Sequence, residues 1–72
     1  MITNIRKLLE ERPFQPFFIV MSSGQKHLVA TSDHADINPI GTRVVVWFDD
    51  GSSVTVAGMH ITAIEKQATQ AA

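Results

Sequence analysis

The sequence contains no cysteine and no tyrosine, and its 72 residues include one tryptophan, three prolines and four glycines. Without cysteine there is no disulfide framework, and no spacing of ligand residues suggests a structural metal or a bound cofactor. A domain of this size has a marginal core on its own, so oligomerisation is the remaining common way to stabilise it. No apolar run approaches the ~20 residues of a membrane span, and no membrane partner is expected.

An excess of charge of either sign is also lacking. Six Lys and Arg residues face seven Asp and Glu residues, which gives a net charge of −1, and the basic residues are spread along the chain. Non-specific nucleic-acid binding needs a basic stripe, so no DNA partner is predicted. The start of the chain lacks the charged-then-apolar order of a secretory signal, which predicts a cytoplasmic location. With 44% hydrophobic against 18% charged residues, the chain is expected to fold.

The clearest positive feature is a β-hairpin signal. The pair Asp50-Gly51 separates residues 42–48, which are mostly β-branched and aromatic, from the run of residues 53–56. An Asp-Gly pair between β-branched and aromatic runs is typical of a tight hairpin. We therefore expect two antiparallel strands here, with the rest of the chain organised around them.

Two registers of this hairpin are open. A two-residue type I′ turn would place Trp47 opposite Val54, whereas a three-residue loop over residues 49–51, with Gly51 in a G1 bulge, would place Val46 opposite Val54. The second register is preferred, and it gathers one apolar face: Val44, Val46, Phe48, Val54 and Val56.

The first strand of the hairpin is apolar on both faces in either register, because Val45 and Trp47 occupy the other face. A sheet with one wet face does not need this pattern. Something is therefore expected to cover the second face: the N-terminal helix, a sheet curled on itself, or another subunit.

Apolar residues at helical spacing predict an N-terminal helix over roughly residues 3 to 12. They are Ile2, Ile5, Leu8 and Leu9. Thr3 is available as N-cap, and Pro13 forbids continuation. Because so short a helix is not stable alone in water, its apolar side is expected to dock on the sheet.

Alternating residues and turn signals predict the remaining strands. They cover residues 17–21, residues 26–31, a short segment with Ala35 and Ile37, and residues 61–65 after a break at Gly58. A helix followed by such a meander predicts an α+β fold that is mainly β: a strongly bent five-stranded antiparallel sheet closed into a small barrel, which removes exposed edges. We expect a single domain over residues 1–66 and a flexible tail over residues 67–72.

One cluster carries residues suited to chemistry, Asp33-His34-x-Asp36, with His27 and His60 elsewhere in the chain. Carboxylates and imidazole can bind a divalent metal or act as an acid–base pair. No spacing here matches a metal or catalytic signature, however, and these are ordinary loop residues. We therefore assign no catalytic, cofactor-binding or metal-binding residue, and we expect His27 and His60 to be half-buried.

Two resemblances extend this interpretation. The lead Pro13-Phe14-Gln15-Pro16-Phe17, with Gly turns at Ser23-Gly24 and Asp50-Gly51, resembles a group of short bacterial proteins of uncharacterised activity. More distantly, a helix, a strand ending at Gly24, a second strand over residues 26–31 and a final Ile61-Thr62-Ala63-Ile64 strand are similar to Sm-like proteins. That family forms rings of strongly bent five-stranded sheets that bind RNA, so the resemblance implies an SH3-like or Sm-like barrel over residues 1–66.

The bacterial Sm-like branch has a Tyr-Lys-His segment before its last strand. The corresponding residues here are Ala57-Gly58-Met59, followed by His60. Without the aromatic ring and the lysine, the resemblance implies the fold and a ring assembly but not the RNA site.

These observations predict a small self-associating binding module of unknown partner, a homo-oligomer that is not an enzyme. An RNA-binding ring, with six cations per subunit gathered around one opening, is the alternative. A metal-dependent or acid–base enzyme that uses Asp33, His34 and Asp36 stands as the last hypothesis.

Overall fold

The computed structural model describes residues 1–66, which form one α-helix and six β-strands. These are α1 (Ile2–Glu10), β1 (Phe17–Met21), β2 (Lys26–Val29), β3 (Ala35–Ile37), β4 (Arg43–Trp47), β5 (Ser53–Ala57) and β6 (Ile61–Lys66). Short 3-10 turns precede β3 (Ser32–His34) and β6 (Gly58–His60). The fold is α+β and mainly β, as the sequence predicts, and the predicted tail at residues 67–72 lies outside the described residues.

Helix α1 begins and ends earlier than the sequence predicts. Its N-cap is Met1, which makes no side-chain capping bond, so the expected role of Thr3 as N-cap is wrong. At the other end Glu11 is extended, with ψ 142°, and its N–H bonds the carbonyl of Leu8. The chain thus leaves the helical conformation before Arg12, the residue that Pro13 restricts to extended geometry.

The strands form two separate three-stranded antiparallel sheets, in the orders β2-β1-β6 and β3-β4-β5. The prediction of one strongly bent five-stranded sheet, closed into an SH3-like or Sm-like barrel, is therefore wrong. Both sheets end in unpaired edge strands within residues 1–66.

The break between the sheets lies at the segment that links β2 to β3. The sequence predicts a strand through residue 31, but β2 ends at Val29. Thr31 accepts the N–H of Asp33 through its hydroxyl (3.2 Å) and its carbonyl accepts the N–H of His34 (3.0 Å), which caps the 3-10 turn at Ser32–His34. These local bonds compete with a strand ladder, so β2 pairs with β1 alone and β3 pairs with β4 alone.

The hairpin adopts the three-residue loop, and the preferred register is confirmed. Val46 lies opposite Val54 and the N–H of Phe48 bonds the carbonyl of Ser52 at 2.9 Å. Gly51 has φ +89°, the left-handed conformation that a G1 bulge requires.

The inner faces of the two sheets share one core with the helix. Its fully or almost fully buried side chains are Ile5, Phe17, Ile19, Val29, Ala35, Val44, Val46, Val56 and Ile61. Ile5 is the one buried residue of α1. Phe14 packs against this core with its ring centroid 6.0 Å from that of Phe17.

The second face of β4 is not closed over in the same way. Val45 is half-buried, but Trp47 is 43% exposed. The sequence predicts that the N-terminal helix, a curled sheet or another subunit covers this face. Within residues 1–66, neither the helix nor a curled sheet covers Trp47. Within the same range, α1 is too short to cross a membrane.

Candidate binding surface

The outward face of the β3-β4-β5 sheet is where the residues singled out from the sequence meet. Side chains alternate along each strand, so Val45 and Trp47 of the central strand share this face with Asp36 and Thr55, their cross-strand neighbours, and with Ser53. We call this set the Trp47 surface. Apart from Val45 its members are exposed, and the surface combines one large aromatic ring with small and acidic side chains.

Trp47 is held in place by a carboxylate of the neighbouring strand. Its indole Nε1 donates to Oδ2 of Asp36 at 3.2 Å. An indole with a bonded N–H and an open ring face suits a contact that needs both apolar area and a fixed direction. Asp36 therefore acts here as the positioning partner of an exposed aromatic ring.

His34 links the 3-10 turn to the hairpin. Its Nδ1 lies 2.7 Å from the hydroxyl of Thr31 and its Nε2 lies 2.9 Å from Oδ1 of Asp49. Asp49 is almost wholly exposed, and the Thr31 hydroxyl already accepts the Asp33 N–H. This chain of bonds ties the hairpin turn to the start of β3 and so has a structural explanation.

The predicted cluster does not come together as a metal or catalytic centre. Asp36 bonds Trp47, His34 bonds Asp49, and Asp33 contributes its N–H to the cap of the turn. No group of three or more metal-ligating side chains occurs within residues 1–66.

The two other histidines lie apart from this cluster. His27 is half-buried, as expected, with its ring centroid 6.4 Å from that of Phe48. His60 is exposed in the 3-10 turn before β6, so the expectation that it is half-buried is wrong.

The hairpin turn carries the one pKa shift found in the described part of the chain. Oδ1 of Asp50 accepts the hydroxyl of Ser52 at 2.6 Å and its N–H at 2.9 Å. These bonds, the hydroxyl first, hold the pKa of Asp50 below its usual range because they stabilise the ionised carboxylate. The turn is thus an Asx motif, which explains the Asp-Asp-Gly sequence without a bound ion.

The free edge of β5 is a feature that the sequence did not predict. Phe48 and Ser52 form a hydrogen-bonded pair, and such pairs alternate along an antiparallel ladder. The N–H and C=O groups of Ser53 and Thr55 and the N–H of Ala57 therefore point away from β4, and no strand within residues 1–66 pairs with this side of β5. The carbonyl of Ala57 is engaged as the N-cap of the 3-10 turn Gly58–His60. The signal that could have revealed this edge is the absence of any charged residue between residues 53 and 57.

A groove of about 460 Å³ runs beside this edge. Its lining includes Thr55 and Ala57 of β5, and Met21, Gln25 and His27 from β1, β2 and the turn between them. The edge of β5 is therefore open to another segment of chain. No family model, no curated protein and no solved structure matches this chain.

Proposed function

We propose that the protein is a small self-associating binding module that acts in the cytoplasm, and that a second copy of the chain covers its Trp47 surface. The observation that carries this proposal is the exposure of Trp47 on a sheet face that neither α1 nor the second sheet covers. Association would supply the cover that the two-sided apolar strand requires. No reaction is assigned to the module.

The size of the chain supports the same proposal. A domain of this length buries only about 60% of the surface that its unfolded chain exposes, and this one has no disulfide. Two ion pairs within residues 1–66 join solvent-accessible side chains, Lys26–Glu65 and Lys66–Glu11. Surface pairs of this kind contribute about 0–1 kcal/mol each, so burial of further apolar area is the larger available source of stability.

The charges near Trp47 favour a protein partner over RNA. Asp36 bonds the indole directly. Asp49 bonds His34, which directly precedes Ala35, the β3 residue that pairs with Val46 next to Trp47. Arg43 is exposed on the same face of β4 but lies four residues from Trp47, whereas Asp36 contacts the ring. A carboxylate in contact with the ring repels a phosphate backbone, and base stacking on a single strand needs a positively charged groove. The RNA-binding alternative stays a prediction, and it becomes an outcome of the test below.

The test is sedimentation equilibrium of the full chain over a concentration series, with the emission of Trp47 followed in parallel. Since Trp47 is the one tryptophan, its emission should shift to the blue as the mass rises. Trp47→Ser should weaken association by roughly tenfold or more, because burying about 100 Å² of apolar ring is worth about 2 kcal/mol.

Met59→Ser is the matched control, because Met59 is 86% exposed and lies outside the Trp47 surface. It should leave association unchanged. A wild-type protein that stays monomeric at several hundred micromolar would end the proposal. Filter retention of labelled RNA at low salt that is lost in Trp47→Ser would support the alternative instead.

A further inference from the structure

We infer that β5 is the strand through which two copies join, pairing antiparallel with β5 of a second copy about a two-fold axis at Thr55. This inference rests on the proposed self-association and names the contact that begins it. It joins the two β3-β4-β5 sheets into one continuous sheet with both Trp47 surfaces side by side on one face. This contact does not itself cover Trp47, and a second such pair stacked on that face supplies the cover that the proposed function requires.

Strand β5 has backbone hydrogen-bonding groups on its free edge. Ser53 and Thr55 direct their N–H and C=O groups outward and Ala57 directs its N–H outward, and no strand within residues 1–66 pairs with this edge. Centred on Thr55, an antiparallel copy places Thr55 opposite its own equivalent and Ser53 opposite Ala57 of the second copy. The Thr55 pair exchanges two bonds, and each Ser53–Ala57 pair adds one from the N–H of Ala57, so about four new backbone bonds would form.

The four edge strands differ in whether they carry a feature that blocks pairing with another chain. Exposed edges usually carry a charge, a proline or a bulge that blocks pairing with another chain. Edge strand β2 carries Lys26, β3 carries Asp36, and β6 carries Glu65 and Lys66. Strand β5 reads Ser-Val-Thr-Val-Ala and has none of these devices.

The side chains of β5 are complementary to those of β5 in a second copy. On the outer face the two-fold axis brings small residues together, Thr55 beside Thr55 and Ser53 beside Ala57. On the inner face it brings Val54 beside Val56 of the second copy. Val54 is still half-exposed in the single chain although it packs against the core, and pairing would cover its open side. No like charges meet across the axis.

The test uses the position on the axis. Thr55 is exposed, so Thr55→Lys and Thr55→Glu should each leave the fold intact, as judged by circular dichroism. Each variant places two like charges directly opposite one another and should weaken association by roughly tenfold or more. An equimolar mixture of the two variants should restore a dimer, because only a contact that pairs position 55 with itself brings the introduced lysine next to the introduced glutamate.

Thr62→Lys on edge strand β6 is the control for an added charge on an edge, because Thr62 is also an exposed threonine. It also removes the 3.2 Å bond from the Thr62 hydroxyl to the carbonyl of Val20, so its fold is checked by circular dichroism as well. It should associate as the wild type does. Thr55→Pro removes an outward N–H without introducing a charge, and it should also weaken association.

The outcomes separate this inference from the proposed function. If the wild type associates, while Thr55→Lys and Thr55→Pro associate equally well, the β5 contact is wrong and self-association stands. If both variants weaken association but the Lys and Glu variants do not restore it when mixed, the axis at Thr55 is wrong. A wild type that never associates would remove both ideas.

Discussion

Asp50 and Ser52 show how single side chains set the geometry of a turn in this protein. The carboxylate of Asp50 accepts both the hydroxyl and the N–H of Ser52, and the turn then closes on Gly51. At the 3-10 turn the hydroxyl of Thr31 has the same task towards Asp33. Polar residues whose types suggest a metal site or catalysis thus form local hydrogen bonds that set the backbone conformation of the turns.

The Asp50 turn gives a prediction about pH. Because the pKa of Asp50 is lowered in the folded chain, its contribution to stability is present above the pKa of the unfolded chain and is lost as pH falls through the folded value. Ser52→Ala removes the larger cause and should raise the pKa of Asp50, measured by NMR titration of the carboxyl carbon. Ser53→Ala is the control and should leave it unchanged. An Asp50 pKa that is the same in Ser52→Ala would contradict the role given to the hydroxyl.

At the scale of elements, the hairpin was predictable and the division into two sheets was not. Gly51 after Asp50 is a local signal, because the G1 bulge needs a residue that adopts positive φ. The end of β2 has no comparable signal. Alternation continues on both sides of Thr31, with Val29 before it and Ala35 after it, and alternation does not reveal which neighbour each segment pairs with.

Gly51 gives the prediction for this element. An added Cβ at Gly51 would meet no atom within 4 Å, so the cost of Gly51→Ala comes from the backbone conformation at φ +89° alone. We expect a loss of about 1 kcal/mol, which lowers Tm by about 4–8 °C in a domain of this size. Gly51→Asn should lose less, because Asn tolerates the left-handed region. Equal melting of Gly51→Ala and wild type by circular dichroism would argue against the bulge.

At the scale of the whole molecule, the arrangement of α1 explains which surface stays open. The apolar spacing of the helix predicts that it docks, and Ile5 does enter the core between the sheets. The same spacing does not reveal which face of the hairpin it covers, because Val44 and Val45 are equally apolar. The exposure of Trp47 is a long-range result of docking, and it is therefore absent from the local pattern.

The buried residue of this helix supplies the last prediction. Ile5 is fully buried, so Ile5→Ala should lose about 2–5 kcal/mol from burial and from the cavity that remains. That loss is a large fraction of the roughly 4–11 kcal/mol expected for the whole chain. Urea denaturation measures the loss as a lower midpoint with an unchanged slope.

Since association would also stabilise the native state, both proteins are compared in the Thr55→Lys background at the same concentration. Ile40→Ala is the control, because Ile40 is 80% exposed. A loss below about 1 kcal/mol for Ile5→Ala would show that the helix is not part of the core.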